Sequence, residues 1–379
     1  MTVSSLDLTV GSLTPRLLLG PGPSPVSPRV LRALAHPPLG HLDPQFLAVL
    51  DDVNERLRGV FGTTNDVTYA VSGTGSAGMQ AALVNALEPG DTAIIGVNGY
   101  FGTRLVEMAR RLGANVVQVE AEWGRIIEPE RVIEAHGKHP GARVLALVQA
   151  ETSTGAWQPL HEVGAHLRGS ETLFVVDAVT ALGGIPVEVD QVGADICYSA
   201  TQKCIGTPPG LSPITYSPKA MRAIGQGRKT PVTSWYFDAT VIGTYLGPER
   251  RYHHTVPINL FFALHEALRE IDEEGLASRF ERHGRMGALL REELGARGFT
   301  PFTETGRGLP QLTALRLPGD ADEASLRSVL LNEHGIEVGG GLGPAKGKIW
   351  RVGLMGHGAS EESVNRLVEA VDRMGMGRA

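Results

Sequence analysis

Cysteine is nearly missing from this sequence. Cys197 and Cys204 are the only two among 379 residues. Two thiols flanking one lysine make no disulfide framework, and a reducing, cytoplasmic setting is the expectation. Also missing is any apolar run near the roughly 20 residues that span a bilayer. The opening "MTVSSLDLTVGSLTPRLLLG" has neither a basic start nor an unbroken apolar stretch, so no signal peptide is expected. An excess of positive charge is lacking too. A formal net charge of -6 argues against nucleic acid or an anionic membrane as the main partner. No internal repeat and no low-complexity tract interrupts the chain.

What is present is turn chemistry and alternation. The 48 glycines and 24 prolines are scattered, which implies many tight turns. "GPGPSPVSP", Gly20 to Pro28, is excluded from helix and central strand because proline fixes φ and donates no hydrogen bond. From about residue 45 helical spacing alternates with short apolar runs. "FLAVLDDVNERLRGVF", "AGMQAALVNAL" and "GTRLVEMARRLG" read as helices; "DVTYAV", "DTAIIGV", "ANVVQVE", "RVLALVQ", "TLFVVD", "ADICYSA" and "SPITYS" read as strands. Continuously apolar strands separated by helices imply an α/β domain with a mostly parallel sheet covered on both faces. Its ligands are expected at the carboxyl ends of the strands. After about residue 270 a long amphipathic helix, short strands and two further helices read as a small α+β domain. The expected division is an arm over 1–19, a large domain over 20–274 and a small domain over 275–379.

"GTGSAG", Gly73 to Gly78, matches a dinucleotide fingerprint, G-x-G-x-x-G. That reading needs an acidic residue after the next strand, and Asp91 lies before it. A Walker loop needs Gly-Lys-Ser/Thr, which is absent. What remains is a helix start at Thr74, Gly75 and Ser76 that offers backbone N–H groups and hydroxyls to a single phosphate. "HEVGAH", His161 to His166, is one residue too long for a zinc motif. The adjacent His253 and His254 share no face, so no metal pair is expected.

Asp177 ends an apolar strand, where a carboxylate is costly without a partner. Lys203 follows the next strand, and neighbouring parallel strands would bring both to one edge. Taken alone, Asp177 reads as readily as a loop-ordering cap, and Lys203 as a surface lysine. A lysine, a strand-end carboxylate and a phosphate cradle together are the parts of a pyridoxal phosphate site: the lysine for the aldehyde, the aspartate for the pyridine nitrogen, the helix start for the phosphate. A nicotinamide-dependent dehydrogenase would explain "GTGSAG" but leaves Lys203 and Asp177 idle. A non-catalytic phosphate-binding protein would explain the loop alone.

The strings "GPGPS", "SGTGSAG", "EPGD", "NGYFG", "ETSTG", "VVDAVTALGG", "YSATQKCIGTPPG", "YHHTVP" and "GGLGP" occur in one order over nearly the whole chain. In this the sequence resembles the class V aminotransferases of fold type I, most closely the alanine–glyoxylate and serine–pyruvate group. The resemblance implies a large domain with a mostly parallel, seven-stranded sheet and a homodimer with shared active sites. It implies that Lys203 is the imine-forming residue, with Gln202, Thr74, Gly75 and Ser76 at the phosphate; Ser76 stands where a relative can have histidine. Phe101 would stack on the cofactor ring, Thr152 would bond its hydroxyl, and Val179 would pack on its other face. Glu151 would order the loop. Tyr252 and Thr255 would reach the partner's phosphate. Arg351 would grip the substrate carboxylate, and Gly22, Gly40 and His41 would line the side-chain pocket. The implied reaction is ping-pong transfer of an amino group from alanine or serine to glyoxylate or pyruvate, with Lys203 as base and acid. Transamination of aspartate or ureidoglycine, racemisation and β-elimination remain open. Sulfur removal from cysteine needs a nucleophilic cysteine on a later loop, and none follows Cys204.

Overall fold

The structure is a computed structural model and describes residues 10–247, 249–319 and 321–376. The first nine residues of the expected arm and the last three of the small domain lie outside these.

Seven strands form the central sheet. In spatial order they are Val67–Ser72, Leu211–Tyr216, Ile196–Tyr198, Leu173–Asp177, Val144–Val148, Thr92–Val97 and Asn115–Glu120. Six run parallel. Leu211–Tyr216 is antiparallel to both of its neighbours, a reversal that its apolar composition does not announce. Val144–Val148 and Leu173–Asp177 are buried at every position, as strands covered on both faces must be. Flanking helices supply the covers. Pro44–Phe61 starts on an Asp43 cap, whose carboxylate accepts from the Gln45 N–H, and ends on Gly62 in the left-handed conformation.

The second layer of organisation begins at Gly275, where helix Ile258–Glu274 passes into helix Leu276–Gly295. A four-stranded antiparallel sheet follows, in the order Thr300–Pro301, Leu312–Arg316, Ile349–Gly353, Gly339–Gly340. It has its own core around Trp350, Leu290, Leu330 and Leu367. Leu17–Leu18, near the end of the expected arm, pairs in parallel with Ile336–Glu337, and Leu19 is part of that second core. The chain therefore crosses at Gly20–Ser24 from the small core to the large one. It does so over the carboxyl edge of the central sheet.

Candidate active site

Register builds the centre. Asp177 and Tyr198 are direct partners on adjacent parallel strands. The turn after each strand then faces its neighbour's turn. A Cβ added at Gly75 would meet Ala200 at 3.0 Å and Val179 at 3.1 Å. The helix start at Thr74–Ser76, the loop after Asp177 and the segment leading to Lys203 thus pack against one another, and glycine is what lets them.

Lys203 is only 8 % exposed. Its ammonium donates to the Pro21 carbonyl. Burial brings its pKa down from 10.5 to about 8; the Arg351 charge pushes the same way, against Cys204 and Asp177. The "GPGPS" turn is the lid of this pocket. Gly22 has φ 113°, and a Cβ there would stand 2.6 Å from Lys203 Nζ. Ser24 fixes the lysine's backbone: its hydroxyl donates to the Lys203 carbonyl at 2.7 Å, and its N–H to that of Gln202 at 3.0 Å. The Gln202 amide oxygen is buried with no hydrogen-bond partner among the described residues.

Asp177 accepts from the Val179 N–H at 2.9 Å and from the Tyr198 hydroxyl at 2.7 Å. Burial raises its pKa from 3.8 to about 6, against those two hydrogen bonds. Among the described residues no cation forms an ion pair with it. Glu151, fully buried, caps helix Tyr100–Arg111 in place of an N-cap side chain. It accepts from the N–H groups of Phe101 and Gly102 at 3.1 and 3.3 Å and from the Ser153 hydroxyl at 2.6 Å. Burial pushes its pKa up. This is the loop-ordering role read for it from the sequence. Thr152 bonds Thr180 through their hydroxyls at 2.5 Å.

Arg351 sits in strand Ile349–Gly353, 7 % exposed. It donates to two carbonyls, Gly340 at 2.8 Å and Thr152 at 3.2 Å. No carboxylate among the described residues forms an ion pair with it. Burial lowers its pKa to about 10. A buried guanidinium with only carbonyl partners is set up for an anion.

Not every expected residue gathers here. Tyr252 is 56 % exposed and Thr255 is exposed as well. His41 lies 5.1 Å from the Tyr252 ring, ring centre to ring centre, with exposed Gly40 beside it in sequence. Among the described residues no hydrogen bond, ion pair or ring contact joins this group to Lys203, Asp177 or Arg351; it lies on an aromatic surface that includes Trp235 stacked on His253, and His254 bonds Ser72 at 2.9 Å. Sequence reasoning also passed over several contributors. Tyr198 lies in the string that carries Lys203, but its pairing with Asp177 is set by strand register. The Pro21 carbonyl and Ser24 had no signal, because only the crossing of the chain brings them in. Arg104, which donates to Ser76 at 3.0 Å, was hidden in an ordinary amphipathic helix. Arg279 holds the Cys204 carbonyl at 2.6 Å from the start of the small domain. The two cysteines are buried, and Cys204 is pushed up to about 12 by burial, which suits packing rather than redox chemistry.

The family profile of aminotransferase class-V matches residues 26–367. The chain is similar to a crystal structure of an alanine–glyoxylate aminotransferase from Nostoc sp., with TM-score 0.94 and 48 % identity, covering 98 % of each chain. It is similar to the ureidoglycine–glyoxylate aminotransferase of Bacillus subtilis, with TM-score 0.94 and 38 % identity, covering 99 % of this chain and 96 % of that one. It is also 38 % identical to the alanine–glyoxylate aminotransferase of Rattus norvegicus over 366 residues, 95 % of this chain and 87 % of the relative.

Proposed function

The chain belongs to the class V aminotransferases, and from that premise we propose that it moves the amino group of alanine or serine to glyoxylate or pyruvate in two half-reactions, as a homodimer. The observation that carries the reading is Arg351: among the described residues it is a buried cation partnered only by carbonyls, and its charge acts on a lysine whose amine is already partly neutral near pH 8.

The residues fit the family's cofactor, pyridoxal phosphate. Asp177 is a buried carboxylate that forms no ion pair among the described residues. The helix beginning at Gly75 has no side-chain cap on its first N–H groups. Gln202 holds an unpaired buried amide oxygen. When bound, the group supplies an electron sink for the substrate α-carbon and an aldehyde carbon to carry nitrogen. The chain does the rest. Asp177, held by Tyr198 and Val179, is placed to keep the pyridine nitrogen protonated. Thr74, Gly75 and Ser76 bind the phosphate at the positive end of the helix. Arg351 fixes the amino acid by its carboxylate. Lys203 Nζ would be the base that takes the proton from the substrate α-carbon and, once protonated, the acid that gives it back. Gly22 and Pro21 close over Nζ and keep water out.

Purified holoenzyme given alanine without an acceptor is expected to release one pyruvate per active site and to lose its visible colour. Glyoxylate should restore it. Colour that survives alanine, serine and aspartate alike would sink the reading. Arg351→Lys is expected to raise KM for every donor by about tenfold or more, since one point charge replaces a bidentate fork; an unchanged KM would place the carboxylate elsewhere.

A further inference from the structure

Arg104 is unclaimed by the reaction as described, and its surroundings are unusual for a helix-surface arginine. It belongs to helix Tyr100–Arg111 and is half-buried. Its Nη1 donates to Ser76 Oγ at 3.0 Å. Its guanidinium lies over the Phe101 ring at 4.9 Å and the Tyr100 ring at 5.1 Å. Glu107, one turn away, pairs with Arg111 instead. Among the described residues no carboxylate forms an ion pair with Arg104. Its charge is therefore held in place by two aromatic faces and one hydroxyl, with no counter-anion.

The geometry points to Arg104 as a positioning residue for the cofactor phosphate, acting through Ser76; this rests on the reading of the site given above. A serine hydroxyl has one proton and two lone pairs. Accepting the guanidinium N–H occupies a lone pair, so the Ser76 proton is left to donate outward. The outward direction at the first turn of helix Gly75–Ala86 is the one in which the helix N–H groups point. The same contact brings an uncompensated positive charge within one side chain of that position, which strengthens the hydroxyl as a donor and attracts a dianion. Contact with the Tyr100 and Phe101 rings restrains the guanidinium, so the hydrogen bond loses little freedom when it forms. Phe101 is also the residue expected to stack on the cofactor ring. Arg104 thus ties the ring-stacking residue to the phosphate loop.

The test separates phosphate from ring. Apoprotein of the wild type, Arg104→Met, Arg104→Lys, Ser76→Ala and the Arg104→Met/Ser76→Ala double variant is titrated with pyridoxal phosphate and with pyridoxal, following Kd by fluorescence. Arg104→Met is expected to weaken pyridoxal phosphate by about tenfold or more, in the range of a lost charge-assisted hydrogen bond, and to leave pyridoxal within about twofold. Arg104→Lys should fall between. Ser76→Ala should match Arg104→Met, and the double variant should be no worse than either single one, because one acts through the other. Equal losses for both ligands would overturn the inference and make Arg104 a support of the ring stack. Additive losses would overturn the route through Ser76. Wild-type apoprotein that takes up neither ligand would overturn the cofactor reading itself, and this inference with it.

Discussion

At the residue scale the site is a set of burials that the folded chain leaves incomplete. Asp177 shows this most directly. Its pKa is raised from 3.8 to about 6, so the folded chain holds that proton more tightly than the unfolded chain. The resulting stabilisation is fully present below the ordinary value and is lost as pH rises through about 6. At neutral pH the apoprotein carries a buried carboxylate with no ion-pair partner among the described residues, a charge the cofactor's cationic ring would balance. Asp177→Asn should therefore melt at the same temperature as the wild-type apoprotein, or higher, at pH 7. The wild-type melting curve should fall between about pH 4 and pH 6 in a way the variant's does not. Affinity for pyridoxal phosphate should drop by about a hundredfold or more, the scale of a broken buried ion pair. Calorimetry of both apoproteins across that range is the check, and an apo variant less stable than wild type at pH 7 would refute the argument. Lys203 and Asp177 were both legible in the sequence, because a charged residue at the end of an apolar run is an anomaly. Tyr198 was quoted in the same string as Lys203, yet its role emerges only when the register sets its hydroxyl against the Asp177 carboxylate.

At the scale of elements, helix starts and turns decide the geometry. Helix Tyr100–Arg111 begins on a buried glutamate from another strand's loop, and helix Gly75–Ala86 begins on no side chain at all. The first is closed; the second is left open for an anion. The "GPGPS" turn is the third device. Alanine at Gly22 would be strained at φ 113° and would place its Cβ 2.6 Å from Lys203 Nζ. Gly22→Ala should therefore keep the fold but lower kcat/KM by about ten- to a hundredfold, the cost of a reacting group misplaced by about 1 Å. Steady-state rates beside a far-ultraviolet circular dichroism spectrum would test this. Near-normal rates would show that the turn swings clear of the lysine. The seven strands and the main helices were readable from periodicity. The reversed strand Leu211–Tyr216 was not, since an edge-proximal strand buried on both faces has the same composition in either direction.

At the scale of the whole molecule, Tyr252 and Thr255 are exposed, with His41 against the Tyr252 ring. In the proposed homodimer Tyr252 and Thr255 would reach the partner's phosphate. Lys203→Ala and the double variant Tyr252→Ala/Thr255→Ala should each be inactive or nearly so. Co-expressed, they should regain roughly a quarter of wild-type activity, since about half of the dimers formed at random are hybrids and each hybrid has one intact site. Mixtures that stay at the level of the parents would mean that each chain completes its own site. The two cores are joined at several places: the crossing at Gly20–Ser24, the junction at Gly275, Arg279, which grips the Gly183 and Cys204 carbonyls, and the bonds of Arg351 and Gln311 to the Thr152 and Thr180 carbonyls.

The sequence by itself determined the α/β class, the order of strands and helices, the family resemblance, and the lysine–carboxylate–phosphate-loop triad. These are local patterns: periodicity, turn residues, and charges in apolar settings, each written within a few neighbouring positions. Only the tertiary structure decided which groups touch them. The Pro21 carbonyl on Lys203, Tyr198 on Asp177, Arg104 on Ser76 and the carbonyl-only surroundings of Arg351 all join segments distant in the chain. Such contacts depend on strand register and on where the chain crosses between its two cores, and no local pattern of residues encodes either.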